Sequence, residues 1–123
     1  MGQMTFQIKR IYESAQPADG TRILVDRLWP RGLKKTDAHL DQWMKEVAPT
    51  TALRLWFGHE PAKFQEFKTR YQAELRGNPG IDELRELGKE HAVTLLYAAH
   101  DPKINHAVVL RSFLERKSQA KQK

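Results

Sequence analysis

Four short stretches carry the side chains from which chemistry could be built: Asp26-Arg27-Leu28-Trp29-Pro30-Arg31, Trp56-Phe57-Gly58-His59, Arg70-Tyr71, and His100-Asp101 with Asn105-His106. Arg27 and Arg31 are four apart across a proline, and paired guanidinium forks suit a carboxylate or phosphate better than lysines do. The bland use of the same pair is one salt bridge and one solvated side chain. Asp26 directly follows the apolar run Ile23-Leu24-Val25, so its carboxylate is partly desolvated and needs a partner. It reads as a general base or polar anchor, or as half of a structural ion pair with the arginine turn. His106 is a candidate for proton transfer, because imidazole titrates near neutral pH. Asn105 could orient a ligand or satisfy local backbone groups. His59, between aromatic residues and a predicted helix start, could accept a proton or pack as a loop histidine. Trp29 lies beside the arginine turn and could stack a ring, whereas Trp43 falls in an apolar stripe and reads as core. Arg70 could reach a pocket or a surface carboxylate.

Several chemistries are excluded. The chain has no cysteine, which removes disulfides, thiol nucleophiles and thiolate metal sites. His100, Asp101 and His106 are the right types for a metal, but their spacing shares no helical face and Asp101 reads as a helix cap. No metal site is predicted. The glycine patterns of dinucleotide and P-loop sites are missing, as is a Gly-x-Ser-x-Gly elbow. Ser14, Ser112 and Ser118 lie in no nucleophile context. No cofactor is identified.

The elements that must position these groups follow from pattern. Thr5 to Tyr12 alternates apolar and polar residues, as a half-exposed strand does. Arg22 to Asp26 and Val93 to Ala99 are continuous apolar runs that suit strands covered on both faces. Leu40, Trp43, Met44 and Val47 fall at i, i+3, i+4 and i+7, predicting a helix capped by Thr36 or Asp37 and stopped by Pro49. Ala52 to Phe57 reads as a short helix ended at Gly58. Pro61 opens a helix with Phe64, Phe67, Tyr71 and Leu75 as its apolar stripe, ended at Gly77-Asn78-Pro79-Gly80. Asp82 to Glu90 is a further helix. Asp101 and Pro102 read as N-cap and first turn of the last one, with Val108, Val109, Phe113 and Leu114 apolar.

Two buried strands separated by helices imply parallel pairing and a right-handed crossover. The prediction is one small layered α/β domain over residues 1–116, with a short, mainly parallel sheet of about three strands flanked by helices. Ligands in such sheets bind beyond the carboxyl ends of the strands. Parallel strands would place Asp26, Arg27 and Arg31 on the same rim as His100, Asp101, Asn105 and His106.

The 123 residues carry a net charge of +6. From Arg111 onward five basic residues face one acid, so most of the excess sits in a C-terminal stretch whose last part, 117–123, reads as a frayed solvated tail. The apolar runs are far shorter than the roughly 20 residues of a membrane span, and no N-terminal signal pattern is present. A cytoplasmic protein without a membrane partner is expected. The leading functional expectation is a site for an anionic small molecule, in a binding protein or an unidentified enzyme, formed by Arg27 and Arg31 with Asp26 and His106. The alternatives are a nucleic-acid-binding module using the same arginines and the tail, and a non-catalytic interaction domain.

Asp26-Arg27-Leu28-Trp29-Pro30-Arg31-Gly32, Trp56-Phe57-Gly58-His59, Arg70-Tyr71, Leu95 to Ala99 and Asn105-His106-Ala107 together resemble the YeaO-like family, domain of unknown function 488. The resemblance runs from about Ile8 to Leu114. It implies a small cytoplasmic α/β domain and carries Asp26, Arg27, Arg31, His59, Arg70, Asn105 and His106 over as pocket candidates, assigning none of them a role. A lysine often stands in the family where this chain has His100, which weakens a catalytic case for that residue.

Overall fold

The computed structural model describes residues 6–120, with side chains through Arg116. Strands β1 (Phe6–Arg10), β2 (Thr21–Leu24), β3 (Gln42–Trp43) and β4 (Val93–Tyr97) form one sheet in the order β1-β4-β2-β3, and every pairing is parallel. The chain is a single α/β domain, as its pattern predicts. The tail reading of 117–123 lies outside the described side chains, and the placement of Thr5 lies outside the described residues.

β3 is the strand that the sequence did not predict. The helix expected over Leu40 to Val47 is absent. A one-turn helix α1 (Lys35–Ala38) stops at His39, whose φ of 50° is left-handed. The chain then runs beside β2: the Asp41 amide donates to the Arg22 carbonyl and the Met44 amide to Leu24. Met44 and Val47 are buried with the main core, while Leu40 and Trp43 pack on the opposite side of the sheet. Apolar residues at helical spacing therefore serve two faces, and strand pairing overrides the local periodicity.

Four helices, α2 (Thr51–Phe57), α3 (Phe64–Leu75), α4 (Pro79–Glu90) and α5 (His106–Ala120), bury their apolar sides in one core with Ile23, Val25, Leu95 and Tyr97. In α3 the predicted stripe is the buried one: Phe67 stacks on Phe57 at 4.2 Å between ring centroids, and Tyr71 and Leu75 are fully covered. Each such side chain contributes roughly 1.5–3 kcal/mol by leaving water. The other face of the sheet presents Leu24 and Leu96 to Ile11, Ala38, Trp29 and Trp43.

Two helix starts differ from expectation. Asn78, expected in a loop, caps α4 by accepting the Gly80 amide, with Pro79 at the first helical position. Asp101 does not cap α5. Its Oδ1 accepts the amides of Lys103 and Ile104 in a turn, and Asn105 caps the helix by accepting the Val108 amide. Those first two bonds hold the exposed Asp101 carboxyl below its ordinary 3.8.

Beside the amino ends of the strands lies a closed polar cluster. Asp19 accepts from Lys9, from the Gln16 amide and from Arg22 Nη1, while Arg22 Nε and Nη2 donate to the carbonyls of His39 and Ala38. Burial alone would raise the Asp19 pKa, but the bonds from Gln16, Lys9 and Arg22 outweigh it and hold the carboxyl below its ordinary 3.8.

Candidate functional site

At the opposite, carboxyl end of the sheet a cavity of about 480 Å³ opens between β2 and β4. Its position follows from the topology. The Val25 amide donates to the Leu96 carbonyl, so the two strands stay paired to their ends. Beyond them the chain departs in opposite directions, toward β3 after β2, and after β4 into α5, which packs over β4 and β1. Such a divergence opens a crevice at the strand ends. The walls are largely apolar, with Phe57 of α2, Phe67 of α3, Pro49 and Ala98 among them.

Asp26 and His106 meet in this crevice. Asp26 Oδ2 accepts the Ala98 amide at 3.1 Å, which ties the end of β2 to that of β4. His106 Nε2 lies 3.0 Å from the Val25 carbonyl oxygen and 2.9 Å from Asp26 Oδ1. A carbonyl oxygen only accepts, so Nε2 carries the proton in this arrangement. Its N–H is aligned with the carbonyl, which leaves the buried Oδ1 without an aligned donor. The other ring nitrogen, Nδ1, has no hydrogen-bond partner among the described residues, and in the neutral ring it is an acceptor. Beneath the imidazole the Tyr71 ring stands edge-on at 6.3 Å. Its hydroxyl is buried and donates to the Val47 carbonyl at 2.6 Å. Burial, with the charges of Glu74 and Asp26, raises the Tyr71 phenol well above its ordinary 10.0, so it stays neutral.

The arginines sort differently from expectation. Arg27 lines the cavity, but its Nε and Nη2 donate to the carbonyls of Pro49 and Ala48. It pins the entry to α2. Arg31 is exposed and does not line the cavity, and with Arg27 spent on the Ala48 and Pro49 carbonyls the pair is not assembled. Arg70 also lies elsewhere, bonded to Glu66 and stacked 4.5 Å above the Trp56 ring. Trp29 is half-buried against Trp43 at 5.3 Å, with its Nε1 donating to the Leu33 carbonyl. It packs the far face of the sheet.

The arginine that the sequence reading missed is Arg54. It lines the cavity from α2, its Nε is buried without a partner, and its guanidinium makes no ion pair or hydrogen bond among the described residues. One signal was available: Arg54 sits beside Leu53 and three before Phe57, both buried, and so flanks the inward face of a short helix. His59 is at the exposed rim, with Gly58 and His59 both left-handed at φ 55° and 59° where the chain turns out of α2. Asn105 is at the wall but spends its amide on α5 and on the Asp101 carbonyl. His100 and Asp101 complete the rim. Among the described residues no group of His, Asp and Glu could hold a metal ion, and no helix is long and apolar enough to cross a membrane.

A family model described as the inactive DUF488-N3 subclade matches residues 5–123. The chain belongs to the DUF488 family. Among its DUF488 relatives, the uncharacterized protein YeaO of Escherichia coli K12 is 46% identical over 112 residues, covering 90% of this chain and 97% of that protein. An uncharacterized protein of Mycobacterium tuberculosis H37Rv is 43% identical over 108 residues, covering 88% of this chain and 92% of that protein. No solved structure matches this DUF488 chain.

Proposed function

We propose that this DUF488 chain binds an anionic small molecule in the crevice between β2 and β4, with Arg54 as the group that holds the negative charge. The observation that carries this reading is the unpaired Arg54 guanidinium in the cavity wall. A cation that is partly desolvated and unpartnered costs stability, and an anion in the cavity relieves that cost. The Asp26–His106 pair supplies the second polar anchor. The matched family model is described as inactive, which favours holding a ligand over turning it over.

The nucleic-acid alternative draws less support. Arg27 is spent on backbone carbonyls, while Arg70 and Arg111 are paired with Glu66 and Glu115, so these arginines form no open basic stripe.

A thermal-shift panel of nucleotides, sugar phosphates and carboxylates at about 1 mM tests the reading, because a ligand that binds the folded state alone raises Tm. At least one class of anion raises the Tm of the wild type and not that of Arg54→Gln. Equal shifts in the two proteins, or none in either, reject it.

A further inference from the structure

Two polar groups that line the cavity have hydrogen-bonding capacity to spare, and much of the wall is apolar. Arg54 can only donate. His106 Nδ1, with the ring's proton fixed on Nε2 by the Val25 carbonyl and by Asp26, can only accept while the ring is neutral. The same lining holds Phe57, Phe67, Pro49 and Ala98, which make much of the wall apolar. An inorganic anion without a hydroxyl, such as sulfate, would satisfy Arg54 and leave both the acceptor and the apolar wall without a match, and phosphate would still leave the wall bare.

We propose that the ligand is an organic acid with an apolar body that also carries a hydrogen-bond donor, a hydroxyl or an N–H, near its anionic group. Arg54 holds the acid, His106 Nδ1 accepts the donor, and the body covers Phe57 and Phe67. This rests on the anion-binding reading above and adds the donor to it. Asp26 is then a positioning residue: with the Val25 carbonyl it keeps the proton on Nε2, and so keeps Nδ1 free to accept. The logic is that of a carboxylate that fixes a histidine tautomer.

The test is a matched pair of probes that differ in one hydroxyl, 3-phenylpropionate and 3-phenyllactate (both enantiomers), titrated calorimetrically into the full-length protein at a pH where imidazole is neutral. One enantiomer of 3-phenyllactate binds roughly three- to tenfold tighter than 3-phenylpropionate, the worth of one added hydrogen bond. In Arg54→Gln both acids weaken together and the ratio between them persists. In Asp26→Asn the Ala98 amide still finds an oxygen, but the group beside Nε2 becomes a donor that opposes a proton there, so the Val25 carbonyl alone holds the tautomer and the ratio falls toward one. That collapse of discrimination, with binding of 3-phenylpropionate retained, is an outcome that a merely structural Asp26 would not produce. Equal affinity of wild type for all the probes overturns the donor while leaving the anion site standing. Binding of neither acid, with inorganic phosphate still shifting Tm through Arg54, overturns the organic-acid class and also leaves that site standing. Failure of every anion removes both.

Discussion

The two ends of the sheet hold similar residues in opposite states. At the amino end Asp19, Lys9 and Arg22 form a cluster in which every charged group answers another or a backbone carbonyl. At the carboxyl end Asp26, His106 and Arg54 line a cavity, and two buried atoms, Asp26 Oδ1 and Arg54 Nε, accept or donate no hydrogen bond among the described residues, although Oδ1 lies 2.9 Å from His106 Nε2. A carboxylate, a basic side chain and an arginine can thus be cement or a site. Residue type does not separate the two cases, and burial does so only in part, since Asp19 and Arg22 are buried and Asp26, His106 and Arg54 half-buried. What separates them is whether the hydrogen-bonding is complete, because an unsatisfied buried group costs stability that a structural role gives no reason to bear.

The sharpest way to test the contrast is to cut each cluster. Asp19→Ala leaves Arg22 buried without its charge partner, and the expected loss is about 3–5 kcal/mol, read as a lower urea midpoint at unchanged slope. Anion-induced shifts in Tm persist, since the cavity lies at the other end. The acid limb carries the same signature. The Asp19 pKa is lower in the folded protein than its ordinary 3.8, so the unfolded chain takes up the proton first. The contribution of Asp19 is therefore complete above that ordinary value and fades as the pH falls through the folded pKa. The stability gap between wild type and Asp19→Asn should close over that acid window and stay constant above it. A gap that is flat across the window would mean that the cluster is not what holds the carboxyl down.

Arg27 is the boundary case, since it lines the cavity yet is bonded as cement is. Arg27→Ala frees the carbonyls of Ala48 and Pro49, with an expected loss of about 1–3 kcal/mol. It weakens ligand binding only as far as the entry to α2 loosens. A full loss of anion binding with unchanged stability would move Arg27 into the site. Asn105→Ala comes next, at about 1 kcal/mol, the usual cost of an N-cap. The corresponding change at Asp101 should cost less, since it unties a turn and not the helix start.

That contrast also marks how far the sequence could be read. β2 and β4 were legible because a strand covered on both faces is apolar throughout, and α3 because one face of a long helix leaves a clear stripe. The meeting of Asp26 with His106 followed from parallel pairing alone, a rule about topology that needs no knowledge of contacts. β3 was hidden because two strand residues have no period, and the spacing of Leu40, Trp43, Met44 and Val47 mimics a helix although its members face two sides of the sheet. Asp101 was mistaken for the cap because it and Asn105 are both good capping residues four apart, and the choice is made by where the turn after β4 delivers the chain. The Arg27–Arg31 pair failed for a similar reason: sequence spacing across Pro30 says nothing of direction. Arg54 was missed because its place beside Leu53 and before Phe57 marks only a helix face, while lacking a partner is a property of the folded surroundings.

The smallest expected effect on stability is the most informative for the site. Arg54→Gln removes a partly desolvated guanidinium that bonds to nothing, so the free energy of unfolding should hold or rise slightly, by no more than about 1 kcal/mol. Affinity for an anion in the cavity should nevertheless fall roughly ten- to a hundredfold, the value of a charge-assisted bond. Arg31→Gln is the control: the same substitution at an exposed arginine away from the cavity should leave both quantities unchanged. Were Arg54→Gln to destabilise the fold as Asp19→Ala does, Arg54 would have structural partners after all. The two ends of the sheet would then be alike, and the case for a ligand at the carboxyl end would fall with the difference between them.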